Sequence, residues 1–180
     1  MQLPEIQPNG GDVVKERTAQ IASQPDRVSW WLKLTEMCTI LAHSRAPLFR
    51  YTARVDPPPG TSVQYDPQLP VAVFLGPSLD QQTAQDILPA NYYPPVAMGD
   101  VYRLIASGVQ ALVVIDGVFH QTTPVWQREI LAAIDAGITV FGASSMGALR
   151  AAELDVYGMH GCGQIYQWYR DGVIDGDDEV

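Results

Sequence analysis

Cysteine is scarce in this chain of 180 residues. Cys38 and Cys162 lie far apart and form neither a CxxC pair nor a Cys/His ligand spacing. That excludes a zinc site built on cysteines and a disulfide framework, and it fits a reducing, cytoplasmic setting. Long apolar runs are missing too: none approaches the roughly 18 residues of a membrane span, and residues 1–15 carry Pro, Asn and Gly where a signal peptide has its apolar stretch. Neither export nor membrane anchoring is expected. Positive charge is also short. Eleven Lys and Arg against twenty Asp and Glu give a net charge of −9 at pH 7, with no basic cluster to offset it. Long-range repulsion of phosphate backbones argues against nucleic acid as a partner, while proteins with basic faces stay open as partners. What is left is a globular chain, long enough to bury roughly 70% of its unfolded surface. Nothing in its residue spacing calls for a metal or another cofactor.

The chain divides at Val71. Residues 1–70 read as an N-terminal extension: a polar lead to about residue 11, a helical stretch from Asp12 to about Ile21, and a stronger one in which Trp30, Leu34, Met37, Cys38 and Leu41 recur at spacings of three and four. Phe49 to Val55 alternates like a half-buried strand, and Pro57-Pro-Pro-Gly60 ends it in a linker that runs to Pro70. From Val71 the pattern changes. Val71–Leu75, Ala111–Ile115 and Ile138–Gly142 are apolar on both faces, as strands covered from both sides are. Between and after them lie helical patterns over Gln81–Leu88, Asp100–Ala106, Pro124–Ala136 and Met146–Tyr157. The order β-α-α-β-α-β-α predicts an α/β fold, a three-layer parallel sheet of the Rossmann or flavodoxin type, with right-handed crossovers and its ligand site outside the carboxyl ends of the strands.

Three strand ends carry residues suited to chemistry. After the first comes Gly76-Pro-Ser78, in which Ser78 and Gln81 make a capping box or Ser78 and nearby amides face an anionic ligand. After the second comes Asp116-Gly117: a carboxylate closing a buried strand serves as a general base with a raised pKa or ties an Asx turn, and the Gly permits close approach of a ligand. After the third comes Ala143-Ser144-Ser145-Met146-Gly147. Small residues two positions either side of Ser145 suit a relaxed G-x-S-x-G elbow, which would set Ser145 above the sheet and aim the first amides of a helix starting at Met146 at an oxyanion. The plainer reading is a serine N-cap. Arg150 and Glu153 share one helical face, as a surface pair or as groups turned towards the site. Glu129 faces site or solvent. His120 and His160 have no spacing that marks a triad base. Cys162, between two glycines, is a turn residue or a persulfide carrier.

Taken together, Phe74-Leu-Gly-Pro-Ser-Leu79, Ile115-Asp-Gly-Val-Phe119, Val125-Trp126 with Glu129-Ile-Leu131, Gly142 to Leu154, Gly158-Met159 and Tyr169-Arg-Asp-Gly172 resemble the TfuA family, over about Val71 to Val180. The resemblance implies a partner of YcaO-type enzymes, which activate a peptide amide with ATP so that sulfur replaces its oxygen, in ribosomally made peptide natural products or in methyl-coenzyme M reductase. It implies that a ThiS-like sulfur carrier ending in a thiocarboxylate is bound and hydrolysed to release sulfide. On that reading Ser145, Asp116 and Glu153 carry the catalysis, while Gly76, Ser78, Gly117, Ser144, Met146, Gly147 and Arg150 bind the substrate. Gln127-Arg128 stands where the family more often has a His-Lys pair, and His120 where it more often has an acid, so rim contacts should differ.

Two other readings compete. In one the domain is a non-catalytic adaptor that docks a sulfur carrier or precursor peptide onto a YcaO enzyme, with Trp30 and Trp31 as apolar contacts. In the other it is a small esterase or amidase working from Ser145, against which the missing triad histidine counts. A homo-oligomer is compatible with each.

Overall fold

The computed structural model of the chain describes Lys33, Glu36, Met37, residues 69–119 and residues 122–176. The expected lead, N-terminal helices, Phe49–Val55 strand and linker otherwise lie outside the described residues, as does His120.

Five strands form one all-parallel sheet in the order β2-β1-β3-β4-β5. They are β1 (Val71–Phe74), β2 (Asn91–Tyr93), β3 (Ala111–Val114), β4 (Thr139–Ala143) and β5 (His160–Cys162). Between and after them run α1 (Gln81–Ile87), α2 (Asp100–Ile105), α3 (Gln127–Asp135), α4 (Ser144–Leu154) and α5 (Gly163–Arg170). This strand order is that of flavodoxin-like doubly wound sheets, whose winding reverses between β1 and β3 and leaves a crevice at the carboxyl ends of those two strands.

Both faces of the central strands are buried, which accounts for their unbroken apolar composition. On one face Val71, Val73, Ala111, Val113, Ile115 and Phe141 pack with Ala84 and Leu88 at α1, and with Met37, which is helical and wholly buried. On the other, Ala72, Phe74, Leu112, Val114 and Val140 meet Val101 and Leu104 of α2, Ile130 and Ala133 of α3, and Met146, Ala148, Ala151 and Leu154 of α4. Two helical layers thus enclose the sheet.

The structure adds two strands to the expected order, which becomes β-α-β-α-β-α-β-α-β-α. β2 is only Asn-Tyr-Tyr, without an aliphatic run, and earns its place by pairing in register with β1 at Ala72, Val73 and Phe74. The Tyr92 hydroxyl reaches the carbonyls of Ala84 and Leu88, at 2.8 and 2.9 Å, and so anchors α1 over this strand. β5, His-Gly-Cys, has weak strand propensity but pairs with β4 from Phe141 to Ala143. α3 begins at Gln127 rather than at Pro124, because Trp126 is extended. The helix expected from Met146 to Tyr157 ends at Leu154 and continues as a single 3-10 turn over Asp155–Tyr157.

α4 lies unusually close to the sheet. A Cβ on Gly147 would collide with the carbonyl of Val114, lying 2.7 Å from its carbon, and one on Gly142 would come within 2.7 Å of Met159 Cε and 2.9 Å of Ala151 Cβ. The obstacle at Gly147 is backbone, which cannot swing aside. Gly147→Ala should therefore lower unfolding stability by about 3 kcal/mol, seen as an earlier midpoint in urea titration of the full chain.

Candidate active site at the carboxyl edge of the sheet

The loops after β1, β3 and β4 meet at the crevice. Asp116 follows β3, and its backbone is held on both sides: its N–H donates to Phe74 O at 3.3 Å and its carbonyl accepts from Val96 N at 2.9 Å. The side chain turns inward, with 3% of the residue exposed. Its Oδ2 accepts the N–H groups of Gly76 (2.7 Å) and Ser78 (3.1 Å), and its Oδ1 accepts the Ser78 hydroxyl at 2.6 Å. Burial pushes the carboxyl above the ordinary range, opposed by the hydrogen bonds from the Ser78 hydroxyl and the two amides, which favour the ionised form.

Ser78 is not the cap of α1. Asp80 takes that position, its carboxylate accepting Thr83 N at 2.9 Å. The capping box expected of Ser78 and Gln81 is therefore replaced by a more local solution two residues on, which leaves the Ser78 hydroxyl for Asp116. The same oxygen lies 2.9 Å from Ser144 Oγ, so loops 38 and 66 residues away in sequence meet at this one residue.

The elbow has its bend one residue earlier than the sequence suggests. Ser144 has φ of 60°, the sole positive φ outside glycine among the described residues. Ser145 follows with φ −39° and ψ −116°, so regular helix begins after it. A non-glycine residue held there costs of order 1–3 kcal/mol. Packing imposes the turn: Gly147 N–H donates to Ile115 O at 3.1 Å, pinning the first turn of α4 to the end of β3. Both serines are half-buried, and Met146 is buried in the core beside them.

The remaining candidates have contacts elsewhere or constrain the backbone. A Cβ on Gly117 would meet Met146 Cγ at 2.6 Å and Val96 Cγ1 at 3.2 Å, and one on Gly76 would meet Pro95 Cγ at 2.6 Å, so both glycines admit neighbouring side chains of the chain itself. Arg150 is buried. It donates through Nε to Val125 O at 3.2 Å and through Nη1 to Glu153 Oε2 at 2.7 Å, and Gln127 Nε2 donates to the same oxygen at 3.0 Å. This cluster braces α4 against the start of α3, and its hydrogen bonds do not run to Ser78, Ser144 or Asp116. Glu129 is fully buried and accepts Gly99 N at 2.8 Å and Trp126 N at 3.3 Å, joining the starts of α2 and α3. His160 stacks on Phe141 with ring centroids 5.1 Å apart, and burial holds its imidazole below the usual value. Cys162 ends β5 in register with Ala143. Among the described residues no group of three or more His, Cys, Asp or Glu side chains could hold a metal ion, and no helix is long and apolar enough to cross a membrane.

Sequence reasoning located the three loops but missed the link between them. The signal was present in Ser78, Asp116 and Ser144, each the first or second polar side chain after its strand, but spacing carries no information on which oxygen faces which.

Two substitutions test these roles. For Asp116 the folded pKa lies above the unfolded one, so the unfolded chain loses its proton first and this residue's contribution to stability falls as pH rises from about 4. Thermal unfolding of the parent and Asp116→Asn across pH 4 to 7 should show their difference shifting in favour of the variant as pH rises. Glu129→Ala strands two backbone donors and opens a cavity, and should cost about 3 kcal/mol in urea unfolding.

Among curated proteins none matches this chain. Residues 116–180 match the family model described as TfuA-like protein. The match begins at Asp116 itself and takes in the elbow, α4 and α5, whereas β1 and Ser78, expected from the resemblance to fall within it, stand before its start. The segment that bears the Asp116 turn and the Ser144 elbow is TfuA-like.

Proposed function

We propose that the crevice binds the thiocarboxylate end of a ThiS-like sulfur carrier and hydrolyses it, releasing sulfide for a YcaO enzyme that thioamidates a peptide backbone. The observation that carries this reading is the buried Asp116 carboxyl, hydrogen-bonded to Ser78 and through the Ser78 hydroxyl to Ser144, at the carboxyl edge of the sheet. Cleavage of an acyl–sulfur bond needs a group that accepts a proton, donors for the charge that develops on the carbonyl oxygen, and access for a narrow chain terminus. Asp116 supplies the first. The first amides of α4, at Ser145 and Met146, supply the second, an effect worth about 3–4 kcal/mol where such donors are fixed in place. Family context supports the choice of a sulfur carrier and a YcaO partner, since TfuA-like proteins are associated with thioamidation.

The net reaction consumes one water: R–COS⁻ and H2O give R–COO⁻, HS⁻ and a proton. Incubating the purified chain with thiocarboxylated carrier should convert the carrier to its carboxylate, followed by intact mass, with matching release of sulfide. Asp116→Asn should slow this by about 10²-fold or more. An undiminished rate in that variant would remove Asp116 from the mechanism. Carrier that binds but keeps its sulfur, with or without the YcaO enzyme and ATP, would instead favour an adaptor.

A further inference from the structure

We infer that Ser144 is a covalent nucleophile, driven through the Ser78 hydroxyl by the Asp116 carboxylate, so that hydrolysis passes through an acyl ester on Ser144 Oγ. The identity of the acyl group rests on the reading above; the nucleophile and its relay rest on geometry alone.

The direction of the hydrogen bonds follows from counting protons. A serine hydroxyl has one proton to give. Ser78 donates its own to Asp116 Oδ1 at 2.6 Å, so towards Ser144, 2.9 Å away, Ser78 Oγ can only accept. The Ser144 proton therefore points at Ser78, and the remaining lone pairs of Ser144 Oγ point away from the relay. Asp116 Oδ2 is occupied by the Gly76 and Ser78 amides, so a proton arriving at the carboxylate settles on Oδ1, the oxygen that faces the relay. Acceptor, relay and donor form one line from a buried base to a half-buried hydroxyl.

The backbone at Ser144 holds the hydroxyl in this placement. The chain passes from extended Ala143 into α4 within two residues. Asp116 is already satisfied by two amides and one hydroxyl without Ser144. The φ of 60° at Ser144, held by the packing of α4 on β3, sets Ser144 Oγ beside Ser78 at the carboxyl edge of the sheet. Strain fixed by surrounding packing at a polar side chain is a mark of functional sites.

The steps balance. Ser144 Oγ forms a bond to the carbonyl carbon of R–COS⁻ while its proton passes to Ser78 Oγ and the Ser78 proton passes to Asp116. Collapse of the tetrahedral adduct breaks the carbon–sulfur bond, and the proton returns along the relay to leave with sulfur as HS⁻. Water then attacks the ester carbon, gives a proton to Ser144 through the freed relay, and releases R–COOH, which ionises. When Asp116 is protonated the line reverses: Oδ1 donates to Ser78, Ser78 donates to Ser144, and no base is left to take the proton.

A fluorophosphonate probe tests the relay apart from any sulfur chemistry, because its phosphorus is attacked by an activated serine with loss of fluoride. The full chain should be labelled once, with fragment masses placing the adduct on Ser144. Labelling should rise with pH along a single ionisation. Ser78→Ala should slow it by about 10²-fold and flatten the pH profile, whereas Ser78→Thr, which restores the hydroxyl, should recover most of the rate; circular dichroism of both variants checks their folding. An adduct on Ser145, no adduct at any pH, or Ser78→Ala labelled at the parent rate with its pH profile intact would overturn the proposal. Labelled Ser144 in a chain that leaves thiocarboxylated carrier untouched would reject the substrate and keep the nucleophile. Full carrier hydrolysis by Ser144→Ala would do the reverse.

Discussion

A single carboxylate governs the carboxyl edge of this sheet. Asp116 receives two amides and a hydroxyl from the loop after β1, and its own backbone is bound to Phe74 of β1 and to Val96 beyond β2. Stranding any of these buried donors would cost about 1–3 kcal/mol. Loops that would otherwise move independently are thereby fixed on one side chain, at the place where the winding of the sheet reverses and a crevice opens. Ordered loops are what a site needs, since reacting groups must be held to within fractions of an ångström.

The second constraint is steric. Gly147 lets α4 rest on the backbone of Val114, and Gly142 leaves room for Ala151 of α4 and for Met159 just before β5. A helix brought that near must start abruptly, and the chain passes from β4 into α4 across Ser144 and Ser145 alone. Tight packing below the elbow thus creates the strained geometry above it. Close packing and backbone strain at this position have a common origin.

Much of this was legible from residue order. Apolar runs at β1, β3 and β4 are long enough to read directly, and the alternation with helical periods fixed the parallel α/β class. β2 and β5 were not legible, because Asn-Tyr-Tyr and His-Gly-Cys become strands only through pairing with a neighbour already in place. At the site the three loops could be named, yet the bend was expected at Ser145, where flanking small residues are symmetric, and the structure sets it at Ser144. The difference arises from the Gly147 amide bonding to Ile115 O, a tertiary contact invisible to local spacing. Glu129 illustrates the opposite failure. Its charge suggested an exposed or catalytic group, whereas two backbone donors hold it wholly inside the fold. Arg150 and Glu153 were rightly paired by their spacing, but Gln127 at the start of α3 and Val125 in the loop before it, which complete the cluster, approach from elsewhere in the chain.

The two short outer strands have a further consequence. β2 and β5, three residues each, are the edges of the sheet among the described residues. Pro94 and Pro95 follow β2 directly, and β5 has a glycine at its centre. A brief edge interrupted by proline or glycine gives little template for a foreign strand, which is how natural sheets avoid growing into one another. Self-association by sheet extension is thereby discouraged even though the central strands are among the most β-prone segments of the chain, and the protein can keep a highly apolar interior without presenting it to aggregation.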